Sequence, residues 1–189
     1  MIYITGDTHG DVRRLSVDNF PGQKEFENQD ENFVIICGDF GLIWNCKEEK
    51  HSERWWLDWL EDKKFTTLFV DGNHDNFNRL DEYPTKEWNG GLVHEIRPHV
   101  LHLMRGQIFN IDGCKIFTFG GARSHDIENL LDLDDPEFDE KRKIFQRENL
   151  FYRIKDMSWW EEEMPTREEM KTGLDSLENN NWKVDYIIT

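Results

Sequence analysis

With 189 residues, 33% of them charged and 13% aromatic, the chain is expected to form one soluble globular domain that can bury a core without staples. Its 39 acidic against 23 basic residues give a formal net charge of -16, a sign that repels polyphosphate backbones and disfavours a protein that grips duplex nucleic acid. Cys37, Cys46 and Cys114 are scattered and form no Cys-x-x-Cys pair, which speaks against a disulfide framework or a zinc ribbon and fits a reducing compartment.

The apolar run Met1-Ile2-Tyr3-Ile4-Thr5 reads as a first strand and stops at Gly6-Asp7-Thr8-His9-Gly10. No basic segment precedes it and no long apolar stretch follows, so the expectation is no leader, no membrane span and a cytoplasmic location. Residues 11–20 predict a short helix with Asp11 as N-cap and Val12, Leu15 and Phe20 on one face, ended by Pro21-Gly22. The second strand, Phe33-Val34-Ile35-Ile36-Cys37, again stops at a glycine and a carboxylate, Gly38-Asp39-Phe40-Gly41. A loop from Trp44 leads to a helix predicted over residues 51–64, where Trp55, Trp56, Trp59 and Leu60 recur at helical spacing. That stripe reads as packing against a sheet rather than as a ligand box. The third strand, Thr66-Thr67-Leu68-Phe69-Val70, runs into Asp71-Gly72-Asn73-His74-Asp75.

Beyond Asp75, residues 76–87 predict a short helix and then a loop through Pro84, and Asn89-Gly90-Gly91 marks a turn. Four β-rich runs follow at residues 92–96, 100–104, 107–111 and 115–119, with Asp112-Gly113 as a hairpin signal between the last two. They predict an antiparallel part of a second sheet. The turn Gly120-Gly121-Ala122-Arg123-Ser124-His125-Asp126 makes Arg123 a candidate phosphate contact, because a guanidinium matches phosphate oxygens with paired donors. A surface arginine at a turn is the equal alternative. A helix is expected over residues 137–154, a packed anchor at Trp159-Trp160, and a capping box at Thr166-Arg167-Glu168-Glu169 opening a helix to about Leu177. Residues 182–189 begin another strand-like run, while His51, His94, His99 and His102 read as ordinary surface or strand residues.

Sites in an open α/β sheet form beyond the carboxyl ends of parallel strands, so three such tips bring Asp7, His9, Asp39, Asn73 and His74 together. Carboxylate, amide and imidazole can ligate metals or move protons. The competing reading has the carboxylates capping turns and the histidines satisfied within the fold. Three motifs in register argue against it.

Asp7-Thr8-His9, then Gly38-Asp39, then Gly72-Asn73-His74-Asp75, each after a strand, resembles the calcineurin-like metallophosphoesterase superfamily. The resemblance implies an α/β fold of two packed mixed β-sheets flanked by helices, an αββα sandwich incomplete at its C-terminus, in a single domain over residues 1–189. It implies hydrolysis of a phosphomonoester or phosphodiester by a two-metal mechanism with a metal-activated water. In that scheme Asp7 and His9 hold the first metal, Asn73 the second, and Asp39 bridges both, while His74 stabilises the transition state or protonates the leaving oxygen. The implied cofactors are two divalent metal ions, Mn first, with Fe, Zn, Ni or Co compatible with the same ligands. The implied partner is a small phosphorylated substrate, with neither duplex nucleic acid nor membrane. The oligomeric state is not read.

Two departures qualify the resemblance. The run Gly38-Asp39-Phe40-Gly41-Leu42-Ile43-Trp44 lacks the second Asp and the Arg-Gly of the serine/threonine protein phosphatase branch. The later strand ending in histidine and the Gly-His-x-His motif of family members are also missing, so the chain is expected to be an N-terminal portion of a longer phosphoesterase. A non-catalytic interaction module on the same fold is the first alternative. A nucleotide-binding α/β protein ranks third, because neither a Gly-x-x-x-x-Gly-Lys-Ser/Thr loop nor a Gly-x-Gly-x-x-Gly fingerprint occurs.

Overall fold

The computed structural model describes residues 1–189. Strands β1 (Ile2–Gly6), β2 (Phe33–Cys37) and β3 (Thr66–Val70) lie side by side and parallel. Their register pairs Gly6 with Cys37 and Cys37 with Val70, so all three strands end level. Between them run a single 3-10 turn at Val12–Leu15, two more short turns, and helix α1 (His51–Glu61). After β3 come the one-turn helix α2 (Phe77–Leu80) and strands β4 (Thr85–Trp88), β5 (Gly91–Arg97) and β6 (Val100–Leu103). These complete a six-stranded sheet ordered β1-β2-β3-β6-β5-β4, in which β6 is parallel to β3 and the β6-β5 and β5-β4 pairs are antiparallel.

A second sheet contains the hairpin of β7 (Gln107–Ile111) and β8 (Cys114–Thr118). Asp112 and Gly113 both take positive φ at its turn, +51° and +79°, the twist a two-residue hairpin loop requires. The short strands β9 (Leu130–Leu131) and β10 (Arg153–Ile154) pair with each other and flank helix α3 (Phe138–Arg147). Helix α4 (Arg167–Asn179) opens on the Thr166–Glu169 capping box, and β11 (Tyr186–Ile188) then joins the second sheet parallel to β8.

The apolar runs of β2 and β3 are continuous because both faces of the first sheet are covered. Val34, Ile36, Phe69 and Val100 point into one core with Leu57 and Leu60 of α1 and with Trp160. Phe33, Ile35, Leu68, Leu101 and Leu103 point into the other, against Phe109, Ile111, Ile116 and Ile188 of the second sheet. Two sheets with outer helices are therefore present. No helix is long and apolar enough to cross a membrane.

Several local expectations are corrected. The four β-rich runs do not share one sheet: β5 and β6 extend the first sheet and only β7 and β8 enter the second. Alternation identifies a strand but carries no address for its neighbour. Strand β4 replaces the predicted loop; its Lys86 and Glu87 are exposed on a sheet edge, so it shows no apolar alternation. Residues 11–20 form one 3-10 turn rather than a helix, and α1 stops at Glu61 rather than at residue 64. Helix α3 covers only Phe138–Arg147 and buries no residue, which explains why periodicity could not bound it. Within the Trp stripe, Leu60 is buried and Trp56 and Trp59 pack against the core, while Trp55 is 53% exposed.

Candidate metal centre

The loop after β1 is stitched to the loop after β2 by backbone and side chain. His9 N donates to Asp39 O at 2.8 Å, Gly10 N to Phe40 O at 2.9 Å, and Thr8 Oγ1 to Phe40 O at 2.8 Å. Asp7, His9 and Asp39 all adopt positive φ, between 45° and 52°, a conformation uncommon outside glycine and one that clusters at functional sites. The loops hold these residues there.

The loop after β3 wraps around Asp39. Gly72 passes so close that a Cβ at that position would lie 2.0 Å from Asp39 Oδ1 and 2.5 Å from Asp39 N. His74 N donates to Asp39 Oδ1 at 3.0 Å. Asp75 is fully buried, with Oδ1 accepting from Gly41 N at 2.9 Å and Oδ2 from Gly72 N at 3.0 Å, so it ties the second and third loops together. Burial pushes its carboxyl up to about 6, against the pull of those two amides.

The other carboxylate oxygen of Asp39, Oδ2, lies 3.5 Å from His9 Nε2. One donor atom each from His9, Asp39 and His74 falls within 4.8 Å of the others. Carboxylate oxygen and imidazole nitrogen in one cluster are a donor set that suits a first-row divalent cation. Asp7 stands at the rim, mostly exposed, with Oδ1 3.9 Å from His9 Nε2. Asn73 is half-buried and its Nδ2 donates to Ser124 Oγ at 3.1 Å. The His74 ring stacks on Trp44, with centroids 5.5 Å apart. Burial lowers the His74 pKa from its ordinary value; Asp39 opposes this, and His9 and Arg153 reinforce it. Arg123 is exposed on its turn and makes no ion pair. The arginine whose charge reaches His74 is Arg153, buried and bonded to Asp126 Oδ2 at 2.7 Å and Ser158 O at 3.0 Å.

The model of the calcineurin-like phosphoesterase family matches residues 1–189. The chain belongs to this family. Family members generally use divalent metals, in agreement with the donor set. Among curated relatives, the lariat debranching enzyme of Drosophila melanogaster is 24% identical over 137 residues, which cover 66% of this chain and 24% of that protein. The lariat debranching enzyme of Danio rerio is 23% identical over 142 residues, covering 67% of this chain and 23% of its own length. The chain thus matches about a quarter of the length of these relatives. No solved structure matches.

Two supporting groups lie outside the strand-tip motifs. His102 is more than an ordinary surface or strand residue: it is buried with Nε2 3.1 Å from Asp71 Oδ1, and its Nδ1 meets His94 Nδ1 at 3.0 Å. Arg105 binds the other oxygen of Asp71, through Nε at 2.9 Å and Nη2 at 2.5 Å. Asp71, at the C-terminal end of β3, is therefore held from below. Glu53 of α1 is the second: its Oε1 accepts from Trp44 N and Asn45 N, both at 3.1 Å, fixing the loop that carries Trp44. The available signal was its spacing: Glu53, Leu57 and Leu60 recur at i, i+4 and i+7, one face of the helix, and all three are buried.

Proposed function

We propose that the chain is a metal-dependent phosphoesterase that cleaves a phosphomonoester or phosphodiester at the tips of β1, β2 and β3. The observation that carries this reading is the convergence of His9, Asp39 and His74 donor atoms within 4.8 Å, from three separate loops. Asp7, His9, Asp39 and Asn73 would hold two divalent ions, which supply a nucleophilic water at neutral pH and neutralise charge on the phosphoryl group.

The chain's own residues organise the rest. Asp39 accepts from the His74 backbone amide through one oxygen, which fixes the side chain and turns its other oxygen toward His9 and the cluster. His74, lowered in pKa by burial, is neutral at pH 7 and still carries one N–H. That group donates a hydrogen bond to the phosphoryl or leaving oxygen, with the ring fixed by its stack on Trp44. Arg123, exposed and free of an ion pair, supplies a further contact to phosphate.

The curated relatives are lariat debranching enzymes, but this chain covers only 24% and 23% of the two described above. Its net charge of -16 favours a small phosphorylated substrate over a long nucleic acid. The test is release of p-nitrophenolate from p-nitrophenyl phosphate and from its bis-ester, with and without Mn²⁺. The expected result is Mn²⁺-dependent release, slowed by about 10²–10⁴-fold in His74→Ala. No release by a chain that binds Mn²⁺ would instead support a non-catalytic module.

A further inference from the structure

Asn73 leaves the β3 tip with its amide nitrogen engaged, since Nδ2 donates to Ser124 Oγ at 3.1 Å across 51 residues of sequence. Ser124 is 3% exposed, and its partner Glu163 is 1% exposed. Both carboxylate oxygens of Glu163 are used on this one residue: Oε1 accepts from Ser124 N at 2.8 Å and Oε2 from Ser124 Oγ at 2.6 Å.

The direction of this chain of bonds follows from the groups themselves. A carboxylate only accepts, so the Ser124 hydroxyl proton points at Glu163. The hydroxyl lone pairs are then what Asn73 meets, and only its NH₂ end can bond to them. The carboxamide oxygen is left on the side away from Ser124. Glu163 is itself pinned: its backbone N donates to Trp160 O at 3.2 Å, Trp160 is fully buried, and Arg105 Nη2 reaches from Asp71 to Glu162 O at 2.8 Å.

We propose that Ser124 and Glu163 are positioning residues that lock the Asn73 amide with its oxygen, not its nitrogen, presented to a divalent cation. This rests on the metal-dependent reading above. A reversed amide would aim two N–H groups at the cation. Partners that orient a ligand in this way typically change metal affinity by 10–100-fold when removed.

The test is a calorimetric Mn²⁺ titration of the full chain, of Ser124→Ala and of Glu163→Gln, together with hydrogen exchange of the Asn73 side-chain NH₂ without metal. Glu163→Gln is nearly isosteric and keeps an acceptor for Ser124 N, yet its new donor lets the hydroxyl and the Asn73 amide reverse. Both variants should bind Mn²⁺ roughly 10–100-fold more weakly, and the Asn73 NH₂ protons should exchange faster in Ser124→Ala. Unchanged Mn²⁺ affinity in both variants would overturn the clamp and leave the metal site standing. No Mn²⁺ binding by the unaltered chain would overturn both.

Discussion

Gly72 is where a single missing Cβ decides the site. A methyl group there would overlap Asp39 Oδ1 at 2.0 Å and the Asp39 backbone nitrogen at 2.5 Å, so either Asp39 or the loop after β3 must move. Gly72→Ala should cost about 1–3 kcal/mol of stability by overpacking, read by denaturant unfolding, and should abolish Mn²⁺ binding. The glycines and the ligand residues behind them were visible in the sequence, because each follows an apolar run at once. The buried histidines were not, since a histidine in a strand looks the same whether it faces water or Asp71. His94 carries the clearest consequence: burial, reinforced by His102, lowers its pKa from 6.5 to about 4. The unfolded chain thus takes up a proton near pH 6.5 and the folded chain only near pH 4. Stability from His94 is full above pH 6.5 and is lost as pH falls toward 4. Asp75, raised to about 6, has the opposite sign in much of the same window, so the informative quantity is a difference between proteins. The stability advantage of the wild type over His94→Gln should grow between pH 4 and pH 7.5 in denaturant titrations. A pH-independent difference would contradict this assignment.

Helix α1 does more than cover the sheet. Its Glu53 accepts from Trp44 N, Asn45 N and Lys50 N, and pairs with Arg79 of α2 at 3.0 Å, both side chains being almost fully buried. Burial works to raise the Glu53 pKa, but the amides of Asn45, Lys50 and Trp44 outweigh it and hold the carboxyl below its ordinary value. Replacing Arg79 with Met would leave that charge buried without its partner, at a cost of about 3–5 kcal/mol, measurable by chemical denaturation. The Trp44 stack on His74 should loosen with it. Parallel strands and their order along the chain were readable from apolar runs ending in glycine. Sheet membership was not: β6 and β7 are both short apolar-rich runs, yet β6 pairs with β3 and β7 with β8, addresses set by three-dimensional packing. Nor was β4, whose exposed charged residues carry no burial signal.

Across the whole molecule, two sheets enclose one core and the outer helices close a second, and the level ends of β1, β2 and β3 place three loops at one rim. Trp160, fully buried, packs edge-to-face on Trp44 at 5.3 Å and so ties the segment before α4 to the wall of the site. The sandwich was legible through the resemblance carried by the three strand-tip motifs; the Ser124–Glu163 support was not, because it joins segments 39 residues apart with no pattern between them. The most direct measurement is a calorimetric Mn²⁺ titration of this chain beside Asp39→Asn. Binding by the wild type that the substitution abolishes is the predicted result. No binding by the wild type, or equal binding by both, would contradict a metal centre assembled at the strand tips.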